Sequence, residues 1–200
     1  MQQADFVPEI TRDGIVSRLE PLVVEANAIL DLGSATGATG RRLRKRFRRA
    51  HVVALDLDHA MLVQARKQRP WFGHASFVRA DAARLPFADG QFDVVVANQL
   101  LPFIADPAAL YAEIARVLRR GGLFAFATLG PGSPAFAHMA DMHIVGDGLV
   151  RAGLRDPVLD VDRLTVRYGD PGKLGDDLAR LIEGDWIDLY YTDPLAVPAR

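Results

Sequence analysis

Short apolar segments alternate with segments of helical spacing from residue 28 to residue 128, and this alternation limits the folds available to the chain. Strands that alternate with helices form a mainly parallel sheet covered by helices on both faces. Period-two and β-branched patterns predict five strands, and helical spacing predicts three helices between them. The predicted strands cover residues 28–32, 51–56, 75–80, 92–97 and 123–128, and the predicted helices cover residues 38–49, 59–69 and 107–118.

The later part of the chain continues the alternation. A helix is predicted near residues 143–152, a strand within 158–168, a helix near 174–182 and a last apolar segment over 186–191. No element is predicted before residue 28. The whole pattern predicts an α/β fold with a doubly wound, mainly parallel seven-stranded sheet, formed by a single domain over residues 1–200.

Composition excludes several classes of function. The formal net charge of −1 argues against nucleic acid or an acidic membrane as electrostatic partners. The absence of cysteine excludes disulfides and thiol nucleophiles and suits a cytoplasmic location. The start of the chain does not resemble a signal peptide, and no apolar stretch approaches the ~20 residues that a membrane helix needs. The histidines show no metal-binding spacing, so no metal is expected.

The segment ILDLGSATGATG joins the first predicted strand to the first predicted helix. Gly33 and Gly37 would allow a sharp turn that a ligand approaches closely. The turn lacks the full dinucleotide fingerprint and any Gly-Lys-Ser/Thr phosphate signature, which argues against nicotinamide and nucleoside triphosphate sites. A tight connection without a ligand is the alternative interpretation of the turn.

Acidic residues follow the next two predicted strands. Asp56 lies about 25 residues after Asp31, where a carboxylate can bind both hydroxyls of a ribose. A helix cap or a solvated strand end is the alternative for Asp56. Asp81 would lie at the same edge of the sheet and could accept the exocyclic amine of an adenine, with Leu57 and Met61 packed on the ring.

These segments resemble a known family when they are taken together. DLGSATG, VVALDLDHAML, VRADAARLPFADGQFDVVVAN and RVLRRGGLFAF resemble, in order and spacing, the motifs of class I S-adenosylmethionine methyltransferases. DFVPEI, NQLLPFIADP, TLGPGSPAF and DMHIVGDGLVRAGLRDPVLDVDRLTVRYGD are similar to segments of the malonyl-acyl carrier protein O-methyltransferases of biotin synthesis. They are also similar to the mitochondrial relative of that group, an arginine hydroxylase. The resemblance covers nearly the whole chain.

The resemblance implies a site for S-adenosylmethionine, with S-adenosylhomocysteine as the product. No catalytic residue is assigned, because a carboxylate acceptor is ionised at neutral pH and needs no general base. The implied substrate contacts are Leu100, Phe103 and His138. The implied cofactor contacts are Asp31, Gly33, Ser34, Ala35, Gly37, Asp56, Leu57, Met61, Asp81, Ala82 and Asn98.

Three departures from the family pattern bear on the site. Ser34 and Ala35 stand where the family usually has Cys-Gly, and His138 aligns with an arginine that would pair with a substrate carboxylate. A neutral imidazole cannot replace a bidentate guanidinium, so malonyl-carrier protein is expected to be a poor substrate. The segments that roof the family's pocket are shorter here, which implies closure by a second copy or a partner chain. The expected wall consists of Leu100, Leu101, Phe103, Phe136 and Met139.

Residues 41–49 contain seven basic side chains. They are interpreted either as a solvated helix face whose arginine stems cover apolar surface, or as a docking site for an acidic acyl carrier protein. Three functions are therefore carried forward. The first is methylation of the carboxylate of a small or carrier-bound acid. The second is a cofactor-binding assembly or partner protein without methyl transfer, and the third is a hydroxylase.

Overall fold

The computed structural model describes residues 6–23, 25–68, 75–131 and 139–162. Within these ranges helices and strands alternate as the sequence predicts, and three aspartates cap helices. Asp58 accepts the amide hydrogen of Ala60, Asp106 accepts that of Ala109, and Asp141 accepts that of His143. The elements are α1 (Phe6–Leu19), β1 (Ala28–Leu32), α2 (Ala38–Arg46), β2 (His51–Asp56), α3 (His59–Lys67), β3 (Ala75–Arg79), β4 (Phe92–Asn98), a 3-10 turn (Leu101–Phe103), α4 (Pro107–Val117), β5 (Leu118–Ala127) and α5 (Met142–Arg151).

The described strands form one sheet in the order β3-β2-β1-β4-β5, and every neighbouring pair is parallel. In this register Leu30 lies opposite Val53 of β2 and Val95 of β4. The chain leaves β1 towards β2 and later returns to the other side of β1 as β4. The crevice between the carboxyl ends of β1 and β4 is therefore the topological switch point, where doubly wound sheets bind ligands.

The doubly wound α/β fold is confirmed, and the described ranges contain five of its strands, while the total of seven stays a prediction. Residues 158–162 contain no strand, and the rest of that predicted strand lies outside the described residues. The helix near 174–182 and the segment 186–191 also lie outside them. None of the helices in the described part of the chain is long and apolar enough to cross a membrane.

Two hydrophobic clusters cover the two faces of the sheet. One contains Leu30 and Val95 of the sheet with Leu110 and Ile114 of α4 and Val145 of α5. The other contains alternate residues of the same strands, packed against α1 and α2. Because side chains alternate along a strand, Asp31 of β1 faces the side of the sheet that α1 and α2 cover.

Helix α1 was not predicted, although Ile15 and Leu19 have helical spacing and are buried against the sheet. The pattern is weak because Gly14 and several charged residues interrupt it. Strand β5 begins at Leu118, five residues earlier than predicted, since Leu118 pairs with Phe92 before a register shift. The local pattern contained no sign of that early pairing.

Candidate functional site

The turn after β1 requires glycine at two positions. Gly33 has φ +71°, and a Cβ atom there would lie 2.8 Å from Cδ1 of Leu100. Gly37 has φ +77°, and its Cβ atom would lie 3.0 Å from Cβ of Ala65. Both values of φ fall in the left-handed region that side chains disfavour. The turn is therefore held close to the loop after β4 on one side and to α3 on the other.

Hydrogen bonds join this turn to the end of β2. The amides of Gly33 and Ser34 both donate to the carbonyl oxygen of Leu55 at 2.9 Å. The amide of Ala35 donates to Oδ2 of Asp56 at 2.7 Å, and the amide of Asp58 donates to Oδ1 of Asp56 at 2.9 Å. Each carboxylate oxygen has a second lone pair, so Asp56 can hold the turn and still accept ligand hydroxyls.

Ala35 adopts φ +44°, a left-handed value that alanine disfavours. This is the position where the family resemblance implies glycine. The side chain of Ala35 is exposed, so its methyl group projects from the outer side of the turn. The replacement of glycine by alanine is thus accommodated by strain in the backbone and not by burial of the methyl group.

Asp31 lies behind the turn and is almost completely buried, with 1% of its surface exposed. Burial raises the pKa of its carboxyl group to about 7, and the charge of Asp56 adds to the rise. The amide of Gly40 and the guanidinium groups of Arg41 and Arg12 oppose it. Oδ2 of this carboxyl group has no hydrogen-bond partner among the described residues. A cationic ligand group near this oxygen would favour the ionised form.

The residues predicted to contact an adenine lie after β2 and β3. Asp81 accepts the amide hydrogen of Ala83 through Oδ1 at 2.9 Å. Leu57 is 66% exposed and Met61 is partly buried, so an apolar side chain is available to a ring at this edge. The methyl group of Ala82 is buried in the core, and a ligand contact would have to involve its backbone.

Asn98 at the end of β4 is bound to helix α1. Oγ1 of Thr11 donates to Oδ1 of Asn98 at 2.8 Å, and Nδ2 of Asn98 donates to the carbonyl oxygen of Pro8 at 2.9 Å. Asn98 therefore fixes α1 over the switch point, and its predicted contact with the cofactor stays a prediction. Because α1 was not predicted, the positions of Thr11 and Arg12 close to the turn were missed.

The predicted substrate wall is only partly described. Leu100 lies against Gly33, and Phe103 is 58% exposed at the end of the 3-10 turn. Met139 is partly buried. Phe136 and His138 lie outside the described residues. Gln99 was not singled out in the sequence, yet it lies beside Leu100 with φ +58°, which no local pattern indicates.

The basic segment 41–49 is largely engaged within the chain. Nη1 of Arg41 donates to the carbonyl oxygen of Thr36, Arg42 pairs with Asp13 at 3.0 Å, and the guanidinium of Arg46 lies 4.8 Å from the ring centroid of Phe47. Helix α2 runs from the turn towards the start of β2, at the opposite edge of the sheet. The exposed basic side chains there are Lys45, Arg48 and Arg49. They lie away from the switch point, which favours the solvated-face interpretation for this end of the segment.

Comparison with protein families places a known domain on this part of the chain. Residues 30–126 match the model of a methyltransferase domain. The malonyl-[acyl-carrier protein] O-methyltransferase of Halorhodospira halophila is 38% identical over 183 residues, which are 84% of this chain and 62% of that protein. The chain therefore spans less than two thirds of the length of this relative.

Solved structures share the fold. An S-adenosylmethionine-dependent methyltransferase from Mesorhizobium loti superposes with a TM-score of 0.60 at 24% identity, over 68% of this chain and 79% of that chain. The [4+2]-cyclase SpnF superposes with a TM-score of 0.61 at 23% identity, over 71% of this chain and 55% of that chain. A methyltransferase and a cyclase share this fold, so the fold by itself does not specify the reaction.

Proposed function

We propose that this chain is a class I S-adenosylmethionine-dependent methyltransferase, which binds S-adenosylmethionine and methylates the carboxylate of a carrier-bound or small acid. The observation that carries the proposal is the turn after β1. This turn contains two glycines that neighbouring side chains approach closely, and the amide of Ala35 binds Asp56. Behind the turn lies Asp31, whose Oδ2 has no hydrogen-bond partner among the described residues. Together these groups form a polar edge at the switch point. These residues fit the chemistry of the cofactor.

Each end of the cofactor has a complementary group in this arrangement. Asp56 would accept hydrogen bonds from the ribose hydroxyls, and Asp81 would accept one from the adenine amine. The buried carboxyl group of Asp31 favours positive charge near the turn. When bound, S-adenosylmethionine supplies an electrophilic methyl group on a positively charged sulfur. Ser34 also contributes a buried hydroxyl group, which has no partner among the described residues.

The role of the chain towards the acceptor is positioning. A carboxylate with a pKa of roughly 4 is ionised at neutral pH and needs no general base. The protein must hold the acceptor oxygen about 3–3.5 Å from the methyl carbon with correct alignment. Leu100 lies against Gly33 and would present an apolar surface beside the turn that limits the movement of the acceptor.

Replacement of Asp56 by alanine tests the cofactor site. The change removes the proposed ribose acceptor and the bond from the amide of Ala35, so S-adenosylhomocysteine should bind about 1–3 kcal/mol more weakly by calorimetry. Asp58→Ala is the matched control, because Asp58 caps α3 through Ala60. That variant should lower thermal stability by about 1 kcal/mol and leave the affinity unchanged. Equal affinities in wild type and Asp56→Ala would contradict the assignment.

A methyl-transfer assay with malonyl-acyl carrier protein tests the acceptor. We expect slow turnover by the wild type, because His138 replaces the arginine that the family resemblance implies. His138→Arg should raise the rate on dicarboxylate acceptors, since a guanidinium binds a carboxylate in a bidentate manner. His143→Arg on α5 is the control and should not change the rate. Rapid wild-type turnover of the malonyl substrate would show that the specificity assignment is wrong.

Closure of the site by another chain belongs to the same proposal. Phe103 is exposed three residues after Leu100, and an uncovered apolar surface would admit water to the acceptor. A second copy of the chain or the docked carrier protein would cover it.

The single domain over residues 1–200 and the cytoplasmic location stay predictions. The alternative function is that of a cofactor-binding protein without methyl transfer. It predicts that the chain binds the cofactor but forms no methylated product in the same assay.

A further inference from the structure

The side chain of Gln99 is buried in an unusual way. Neither Oε1 nor Nε2 has a hydrogen-bond partner among the residues that the structure describes, and both atoms are shielded from solvent. Buried polar groups in folded proteins are almost always hydrogen-bonded, and an unpaired one lowers stability. An amide with both its donor and its acceptor unpaired therefore calls for a reason outside folding.

The backbone of Gln99 is strained at the same position. Its φ is +58°, a left-handed value, while its amide donates to the carbonyl oxygen of Ala127 at 2.8 Å and holds the residue against β5. Two unfavourable features thus coincide at one residue. Strain of this kind persists where the surrounding structure enforces it, and it is concentrated at ligand-binding sites.

Gln99 follows β4 at the switch point. Leu32 pairs with Ala97 in the sheet, so Gln99 lies two residues beyond that pair, level with the turn after β1. The next residue, Leu100, lies against Gly33 of this turn. The neighbour on the other side, Asn98, has both ends of its amide bound to α1. Gln99 therefore brings to this edge of the sheet a side-chain amide whose donor and acceptor no described residue satisfies.

The chemistry of the amide limits the kind of ligand group. Nε2 donates hydrogen bonds and Oε1 accepts them, so a matching group presents an acceptor beside a donor. The carboxylate and ammonium of an α-amino acid meet this requirement. Oδ2 of Asp31, which has no hydrogen-bond partner among the described residues, also favours a cation at this edge.

We propose that the side chain of Gln99 binds the amino-acid end of S-adenosylmethionine, with Nε2 donating to the carboxylate and Oε1 accepting from the ammonium. This inference rests on the proposed function. It places the nucleoside over β2 and β3, next to Asp56 and Asp81, and the amino-acid end over β1 and β4. Gln99 is thus a positioning residue that sets where the cofactor's sulfur lies between these two ends.

Calorimetry with two ligands tests the inference. S-adenosylhomocysteine has the amino-acid end, whereas 5′-methylthioadenosine keeps the nucleoside and the sulfur but lacks that end. Gln99→Leu should bind S-adenosylhomocysteine about 10- to 100-fold more weakly, as expected for lost hydrogen bonds to charged groups. Its affinity for 5′-methylthioadenosine should stay within about twofold of wild type, since that ligand does not reach the amide.

Two further variants sharpen the result. Gln99→Glu keeps the size of the side chain but repels the carboxylate, and it should also lose S-adenosylhomocysteine selectively. Gln64→Leu changes an exposed glutamine on α3 and should leave both affinities unchanged. Ligand-free Gln99→Leu should melt at or above the wild-type temperature, because it removes an unpaired buried amide, and this measurement shows that the variant folds.

The outcomes separate this inference from the proposed function. Selective loss of S-adenosylhomocysteine in Gln99→Leu supports the inference. Equal weakening of both ligands, or no weakening of either, would overturn it while leaving the cofactor site in place. A wild-type protein that binds neither ligand would overturn the proposed function and this inference together.

Discussion

Gly33→Ala is expected to destabilise the protein by about 2–5 kcal/mol and to remove measurable binding of S-adenosylhomocysteine. The left-handed backbone of Gly33 costs an alanine about 1–2 kcal/mol. The new Cβ atom would lie 2.8 Å from Cδ1 of Leu100, and such overpacking typically costs a further 1–3 kcal/mol or so. Denaturant unfolding of wild type and variant measures the loss of stability, and calorimetry measures the loss of binding.

Two variants separate the free-energy cost of the left-handed backbone from the cost of the contact with Leu100. Gly153 has φ +91° with no described atom within 4 Å of its Cβ position, so Gly153→Ala should show the backbone cost alone, about 1–2 kcal/mol. In the Gly33→Ala background, Leu100→Ala should recover part of the lost stability. A double-mutant cycle with no coupling between positions 33 and 100 would contradict the observed contact.

The stability of the ligand-free protein is expected to fall as pH rises from about 4 to about 7, because of Asp31. Its pKa is raised from an ordinary 3.8 to about 7 by burial. Between these values the folded protein holds a proton that the unfolded chain has released, so each step up in pH favours unfolding. Three pKa units correspond to about 4 kcal/mol as an upper bound, and the loss is complete above pH 7.

Asp31→Asn isolates this effect. The amide does not titrate, so the decline in unfolding free energy between pH 4 and pH 7 should disappear in denaturant titrations of the variant. Glu113 acts in the opposite direction at lower pH, because hydrogen bonds from Arg116 lower its pKa, and its contribution is lost only as pH falls below about 4.5. Equal pH profiles for wild type and Asp31→Asn would show that Asp31 is not the source.

Cofactor binding should respond to the same group. If an ammonium group binds near Asp31, the ionised carboxylate is favoured and the proton is released on binding at pH 6. Calorimetry of S-adenosylhomocysteine in buffers of different ionisation enthalpy measures that release. The release should be absent in Asp31→Asn, and its presence there would assign the proton to another group.

The sequence by itself determined the features that depend on local pattern. Strands β1 and β2 lie at the predicted residues, because an apolar run bounded by turn residues needs no distant information to be recognised. The alternation of strands and helices was sufficient for the parallel, doubly wound sheet. Once that sheet is predicted, the residues that follow β1, β2 and β3 must lie at one edge, and this placed Gly33, Asp56 and Asp81 together.

Only the tertiary structure decided what each of these side chains contacts. Thr11 and Asn98 are 87 residues apart in the chain, so no local pattern could show that their hydrogen bond fixes α1 over the switch point. The raised pKa of Asp31 depends on burial by α1 and α2, and the unpaired amide of Gln99 depends on what packs around it. These properties arise from the sum of many distant contacts, whereas the strand pattern arises from neighbours in the sequence.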